Sequence, residues 1–199
     1  MSTKIDIRRL RDVNRLAKAG AETVAEHLTQ LTGVQTEMQI TKINVLDVED
    51  LGAHLGTERV VGVNVPLLES PHGSVLILFD DDSAKTLAHE MLGSASDDEP
   101  GYSEMEQSAI KEVGNIMTSG FIDGWANVLG RTIDISTPQL LRAAGDEIVE
   151  HSVESGDHEI ALLFDSTLEA PDVNVEATIY TFPNVEEFVD LINSIDHAS

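Results

Sequence analysis

Residues 103–138 read SEMEQSAIKEVGNIMTSGFIDGWANVLGRTIDISTP. The stretch up to Leu129 is written as one long helix. Ser103 and Glu106 have the Ser-x-x-Glu spacing of a capping box, in which the hydroxyl and the carboxylate each satisfy a backbone N–H of the first turn. Gly130 supplies the stop. At about 100° per residue, Ser108, Glu112 and Asn115 fall within about 60° of arc, and Ser119 extends the row. Ala109, Ile110, Val113, Ile116 and Met117 take the other side. One face is therefore buried, and the other displays a hydroxyl, a carboxylate and an amide. Gly114, Gly120 and Gly124 lower the helix propensity. Their presence predicts close approach of another backbone or of a partner. Trp125 is assigned to the core.

The same pattern occurs near the N-terminus. Leu10, Val13, Ala17, Val24, Leu28 and Leu31 recur at three- and four-residue spacing, which predicts a helix over 5–31, stopped by Gly33. Strands are expected at 36–48, 60–68 and 74–79, the last two parted by the turn Ser70-Pro71-His72-Gly73. A short helix is expected at 82–92, capped by Asp82 or Ser83. A polar linker covers 94–101. Beyond the long helix, strands are expected at 132–137, 146–153, 158–165 and 174–182, and a last helix at 184–196, starting at Asn184 after Pro183. A shift of 97 residues lays Val13 on Ile110, Leu16 on Val113, Val24 on Phe121, Leu28 on Trp125, Leu31 on Val128 and Gly33 on Gly130. Glu37 then falls on Asp134 and Met38 on Ile135. Val75–Phe79 also resembles Thr178–Phe182, each followed by a helix. The chain thus reads as one domain, 1–199, built of two repeats at about 5–93 and 103–197 around a pseudo-twofold axis.

Composition narrows the function. With 41% hydrophobic residues in a chain of 199, a sizeable core is available, and disorder is disfavoured despite the charge. No apolar run reaches the length of about 18 residues that a membrane span needs. The first residues, MSTKIDIRR, lack the apolar segment of a signal peptide, so a cytoplasmic location is expected. Without cysteine, disulfides and thiolate chemistry are excluded. Acids number 36 against 12 Lys and Arg, for a net charge of −24. Nucleic acid would be repelled. Acids spread along the whole chain, with few lysines, resemble proteins of salt-loving organisms, in which salt screens the self-repulsion. The seven histidines are scattered, and His89-Glu90 lacks the second His of a zinc protease motif. No metal or cofactor site is expected in this chain, and there is no Gly-rich phosphate loop.

An exposed Ser, Glu or Asn on a helix is ordinarily just a solvated face. Ser108, Glu112, Asn115 and Pro138, however, stand at intervals of three, two and twenty-two intervening residues. That spacing resembles the motif of the CheC/CheX/FliY family of chemotaxis phosphatases: Asp or Ser, three residues, Glu, two residues, Asn, twenty-two residues, Pro. The flanking text, Glu112-Val113-Gly114-Asn115-Ile116, Leu129-Gly130-Arg131 and Ile133-Asp134-Ile135-Ser136-Thr137-Pro138, is similar to the family as well. The chain looks most like the CheC type, and the charge pattern suggests a halophilic archaeon.

The resemblance implies an α+β, pseudo-twofold duplicated fold: two long helices beside a largely antiparallel sheet, with shorter helices. It implies hydrolysis of the aspartyl phosphate of a CheY-like receiver. Asn115 would position the attacking water, and Glu112 would contact the receiver's active-site lysine. Ser108 would support the stripe, and Pro138 would shape the chain end beneath it. A divalent metal would sit on the receiver, not on this chain. The receptor deamidase CheD is a further expected partner. The alternative is a non-catalytic adaptor of the same fold that binds CheD or a flagellar switch component.

The family often carries a second site in the other half. The matching positions here are Arg11, Arg15, Lys18 and Thr41, and none fits the motif. Sliding the frame to Asn14 brings Ile7, Arg11 and Glu37 into the other positions, which does not fit either. The first site is expected to be degenerate. Its basic stripe reads either as a solvated face or as a docking patch for an acidic partner.

Overall fold

The computed structural model describes residues 9–93, 101–153, 160–171 and 173–195. In chain order these residues form α1 (Leu10–Thr32), β1 (Glu37–Asp47), α2 (Val48–Leu55), β2 (Arg59–Leu67), β3 (Gly73–Phe79) and α3 (Asp81–Leu92). Then follow α4 (Glu104–Leu129), β4 (Gln139–Ala144), α5 (Gly145–Val153), β5 (Ile160–Ala170), β6 (Val173–Pro183) and α6 (Val185–Ser194). The second six elements repeat the order of the first six.

All six strands join one antiparallel sheet in the order β1-β5-β6-β3-β2-β4. Exchanging each strand of the first half for its counterpart in the second maps this order onto itself, as a pseudo-twofold axis requires. The axis runs between β3 and β6, where Leu76 pairs with Tyr180 and Ile77 with Ile179. The outer strands are crossed over: β1 pairs with β5 of the second half, and β4 with β2 of the first. The fold is the α+β, duplicated architecture expected.

The alternation of side chains across a strand puts two cores on the two faces of the sheet. Val75, Ile77, Phe79, Phe164 and Ile179 face α1, α3, α4 and α6. Leu76, Leu78, Leu163, Tyr180 and Phe182 face the two short helices, with Leu51 of α2 and Ile148 and Val149 of α5. Trp125 is 1% exposed and meets Phe121, Phe164 and Phe188 at ring-centroid distances of 5.4, 6.2 and 5.9 Å. The helical glycines of α4 are explained by packing within the chain. Gly120 lies under Val24 of α1, whose Cα would be 2.8 Å from an added methyl, and Gly114 lies against Val63 of β2.

Several local expectations are corrected. Residues 146–153 are the helix α5, not a strand: Ile148, Val149 and Ser152 are buried on one face against α2. Helix α2 and strand β4 were not anticipated. Residues 132–137 are extended but not a named strand. They attach to the end of β2 through Ser136 N–H to the Pro66 carbonyl (2.8 Å) and Leu68 N–H to the Asp134 carbonyl (2.9 Å). The cap of α3 is Asp80, whose carboxylate accepts from Ser83 N–H at 2.6 Å, rather than Asp82 or Ser83. Leu10 and Leu31 are each 50% exposed rather than buried. β5 extends beyond the expected 165 to Ala170. The expected helix start at residue 5 and most of the 94–101 linker lie outside the described residues.

Candidate functional site

Helix α4 is anchored at its first turn. Ser103 and Glu106 form the capping box, with Ser103 N–H donating to Glu106 at 2.7 Å and Glu106 N–H to Ser103 Oγ at 3.2 Å. His89 Nε2 of α3 lies 3.4 Å from the buried Glu106 carboxylate. Just before the cap, the Tyr102 hydroxyl is 3.0 Å from the Asp81 carboxylate, and Arg142 of β4 stacks on the Tyr102 ring at 4.7 Å and pairs with Asp81 at 3.3 Å. Burial, and then the hydrogen bond to Asp81, push the Tyr102 phenol above its ordinary value, so it stays a neutral donor. These contacts tie α4 to α3 and to the strand that follows Pro138.

From that anchored turn the polar stripe runs outward. Ser108 and Glu112 are exposed, and Asn115 and Ser119 are half-buried. Among the described residues, no hydrogen bond or ion pair engages the side chains of Ser108, Glu112 or Asn115. A half-buried amide whose hydrogen-bonding groups are left open is a ready-made contact for an incoming group, because it both donates and accepts.

Asn115 and Ser119 stand between two grooves. One, of about 780 Å³, is bounded by Leu68, Asp123 and the segment Ile133–Pro138. The other, of about 360 Å³, is bounded by Glu112, Ile116 and the residues His27, Gln30 and Leu31 of α1. The structure therefore brings Asn115 and Pro138 to one groove and Asn115 and Glu112 to the next. Ser108 lies farther along the helix and lines neither. His27, Gln30, Asp123 and Leu68 were not singled out from the sequence. Asp123 continues the row one turn beyond Ser119 and could have been found by the same spacing. His27, Gln30 and Leu68 reach the stripe through the packing of α1 and the end of β2 on α4, which no spacing rule within one helix reveals.

The first half carries a different surface. Arg11, Arg15 and Lys18 are exposed on α1, and Lys18 meets only the exposed Glu22, at 3.8 Å. Thr41 is the unpaired residue of a bulge between Ile40 and Lys42 of β1, and its hydroxyl donates to the Asp165 carbonyl at 3.1 Å. Pro138, its counterpart by the sequence shift, instead lies outside the strand, immediately before β4. The two halves differ there as well as in the groups displayed on the helix.

Among the described residues no helix is long and apolar enough to cross a membrane, and no group of three or more His, Cys, Asp or Glu could hold a metal ion.

Comparisons with known proteins agree with this architecture. A family model described as CheC-like matches residues 105–142, which span the stripe and Pro138. A Halobacterium salinarum protein named "Putative CheY-P phosphatase CheC1" is 68% identical over 195 residues, covering 98% of this chain and all of the relative. FliY from Thermotoga maritima superposes with a TM-score of 0.80 at 14% identity, over 96% of this chain and 97% of that one. A CheX–CheY–BeF3–Mg2+ complex from Borrelia burgdorferi contains a chain of similar fold, with a TM-score of 0.51 and 20% identity over 84% of this chain and 96% of that one. With full-length identity at this level to a CheC protein, the chain belongs to the CheC-like family.

Proposed function

We propose that the chain hydrolyses the aspartyl phosphate of a CheY-like receiver, at a single site on α4, in the cytoplasm. The observation that carries the proposal is the Asn115 carboxamide. It is half-buried between two grooves, one of them floored by Pro138, and none of the described residues engages it. The name of the Halobacterium relative, and the receiver bound in the CheX complex, support the same partner.

Phosphoryl transfer needs chiefly positioning and charge neutralisation. The Asn115 carboxamide oxygen accepts a hydrogen bond from water and turns a lone pair toward phosphorus. The new P–O bond forms as the bond to the receiver carboxylate breaks, releasing phosphate and the free carboxylate. A neutral amide suits this task better than a carboxylate, which the phosphoryl charge would repel. Glu112, exposed one turn earlier, pairs with the receiver's lysine and fixes orientation. Ser108 supports the stripe, and Pro138, with φ fixed and no N–H, shapes the groove wall. The divalent ion of the reaction is held by the receiver, and no residue of this chain is assigned to it.

Phosphate release from a phosphorylated CheY-type receiver, with and without this protein, tests the proposal. Faster release supports it. An unchanged rate with tight binding would favour the adaptor, a fold kept to hold CheD or a flagellar switch component.

A further inference from the structure

Six large apolar side chains are markedly exposed among the described residues: Leu10, Leu31, Val34, Val45, Leu68 and Met105. Three of them border the polar stripe or its grooves. Met105, 67% exposed, lies on the same face of α4 one turn before Ser108. Leu68, 56% exposed, borders the groove that contains Asn115 and Pro138. Leu31, 50% exposed, borders the groove that contains Glu112 and Asn115. Leu31 and Val34 also line an apolar cavity of about 390 Å³, whose other walls include Leu28, Leu87, Met91 and Leu168. Successive hollows share residues: Asn115 and Ser119 join the first two, and Leu31 joins the second to the cavity. The three hollows thus lie in series between Pro138 and the cavity, and the unpartnered amide borders the first two.

We infer that Leu31, Leu68 and Met105 are the apolar anchors that hold the receiver over Asn115, and that the cavity beside Leu31 takes an apolar side chain of that receiver. The inference rests on the assignment of the stripe as the receiver-facing site. Exposed apolar side chains next to open polar groups and an apolar hollow are what a docking surface offers, since its anchors are buried beside hydrogen-bonding groups. The charge favours the same conclusion. A protein of −24 does not attract an acidic partner. At molar salt the Debye length is only about 3 Å, so charge pairing reaches little beyond contact. Apolar burial persists under those conditions. The basic stripe on α1 is flanked by only one such side chain, Leu10.

The test uses the intact protein and a Halobacterium CheY-type receiver, phosphorylated for kinetics and carrying beryllofluoride for binding. The triple variant Leu31→Ser, Leu68→Ser, Met105→Ser replaces exposed groups only, and circular dichroism checks its fold. Its dissociation constant and half-saturating receiver concentration should each rise about tenfold or more, with the maximal rate within about twofold of the parent. Val45→Ser, on β1, serves as a control that should change neither. Affinity of the parent should hold or rise with salt. Unchanged affinity in the folded triple variant would overturn the inference, as would affinity that falls steeply with salt. Asn115→Ala separates the two levels. If that variant loses its rate while the triple variant binds like the parent, only the anchors are wrong. If Asn115→Ala keeps its full rate, the site assignment itself is wrong.

Discussion

Gly124 of α4 lies directly against the backbone of Ala19 in α1. A methyl group built on the glycine would overlap the Ala19 carbonyl oxygen and stand 2.5 Å from Gly20 Cα. This contact sets how closely the two long helices approach, and so fixes the wall of α1, with His27, Gln30 and Leu31, beside Glu112 and Asn115.

Gly124→Ala should therefore destabilise the protein by about 2–3 kcal/mol, since backbone cannot yield as a side-chain tip can. Gly130→Ala provides the contrast. Gly130 has φ 62° and nothing within 4 Å of an added methyl, so only the left-handed conformation is penalised, at about 1 kcal/mol. Thermal melts of the two variants check the order. Equal losses would show that the helix contact is looser than described.

The two long helices were legible because each is long, periodic and stopped by glycine: Gly33 and Gly130 are both left-handed caps. The stripe was legible because it lies within one helix. What escaped was set by tertiary contact. Ile148 and Val149 look like strand residues, yet α5 is helical because that places them against Leu51. Gln139-Leu140-Leu141-Arg142 has little β preference and becomes β4 by pairing with β2. The grooves escaped for the same reason. Their second walls, His27 and Leu68, come from elements far away in sequence.

Salt should govern folding. With 36 acids against 12 bases, self-repulsion opposes the compact state until it is screened. The melting temperature, followed by circular dichroism, should climb as potassium chloride rises from about 0.1 M to about 3 M. A fully folded protein with a flat melting temperature across that series would refute the halophilic character.

Acid should loosen the clip between the turn at His72 and α6. The Glu187 carboxyl is held below its ordinary range, first by the His72 backbone N–H at 2.7 Å and further by the His72 ring at 3.0 Å. A depressed carboxylate contributes stability that is complete above its unfolded pKa and is lost as pH falls through the folded one. Glu187→Gln should therefore narrow its stability gap to the parent as pH drops below the ordinary glutamate range. A gap that stays constant from neutral to acid pH would show that the clip does not titrate.

The basic stripe of the first half should be dispensable for chemistry. Arg11, Arg15 and Lys18 are exposed, and Thr41 is engaged by Asp165. Replacing the three cations by glutamine should leave receiver dephosphorylation within about twofold, since only solvent-screened charges are lost. Collapse of activity in a folded variant would locate working machinery on α1.

The central claim is that Asn115 positions water, and Asn115→Ala tests it most directly. Losing a positioning group costs about 100-fold in rate, roughly 3 kcal/mol. Dephosphorylation of the receiver should therefore fall by about that factor, while affinity for its beryllofluoride form stays close to the parent's. Glu112→Ala, in contrast, should weaken both. If Asn115→Ala dephosphorylates the receiver as fast as the parent, the stripe is a solvated face and the protein is a binding module.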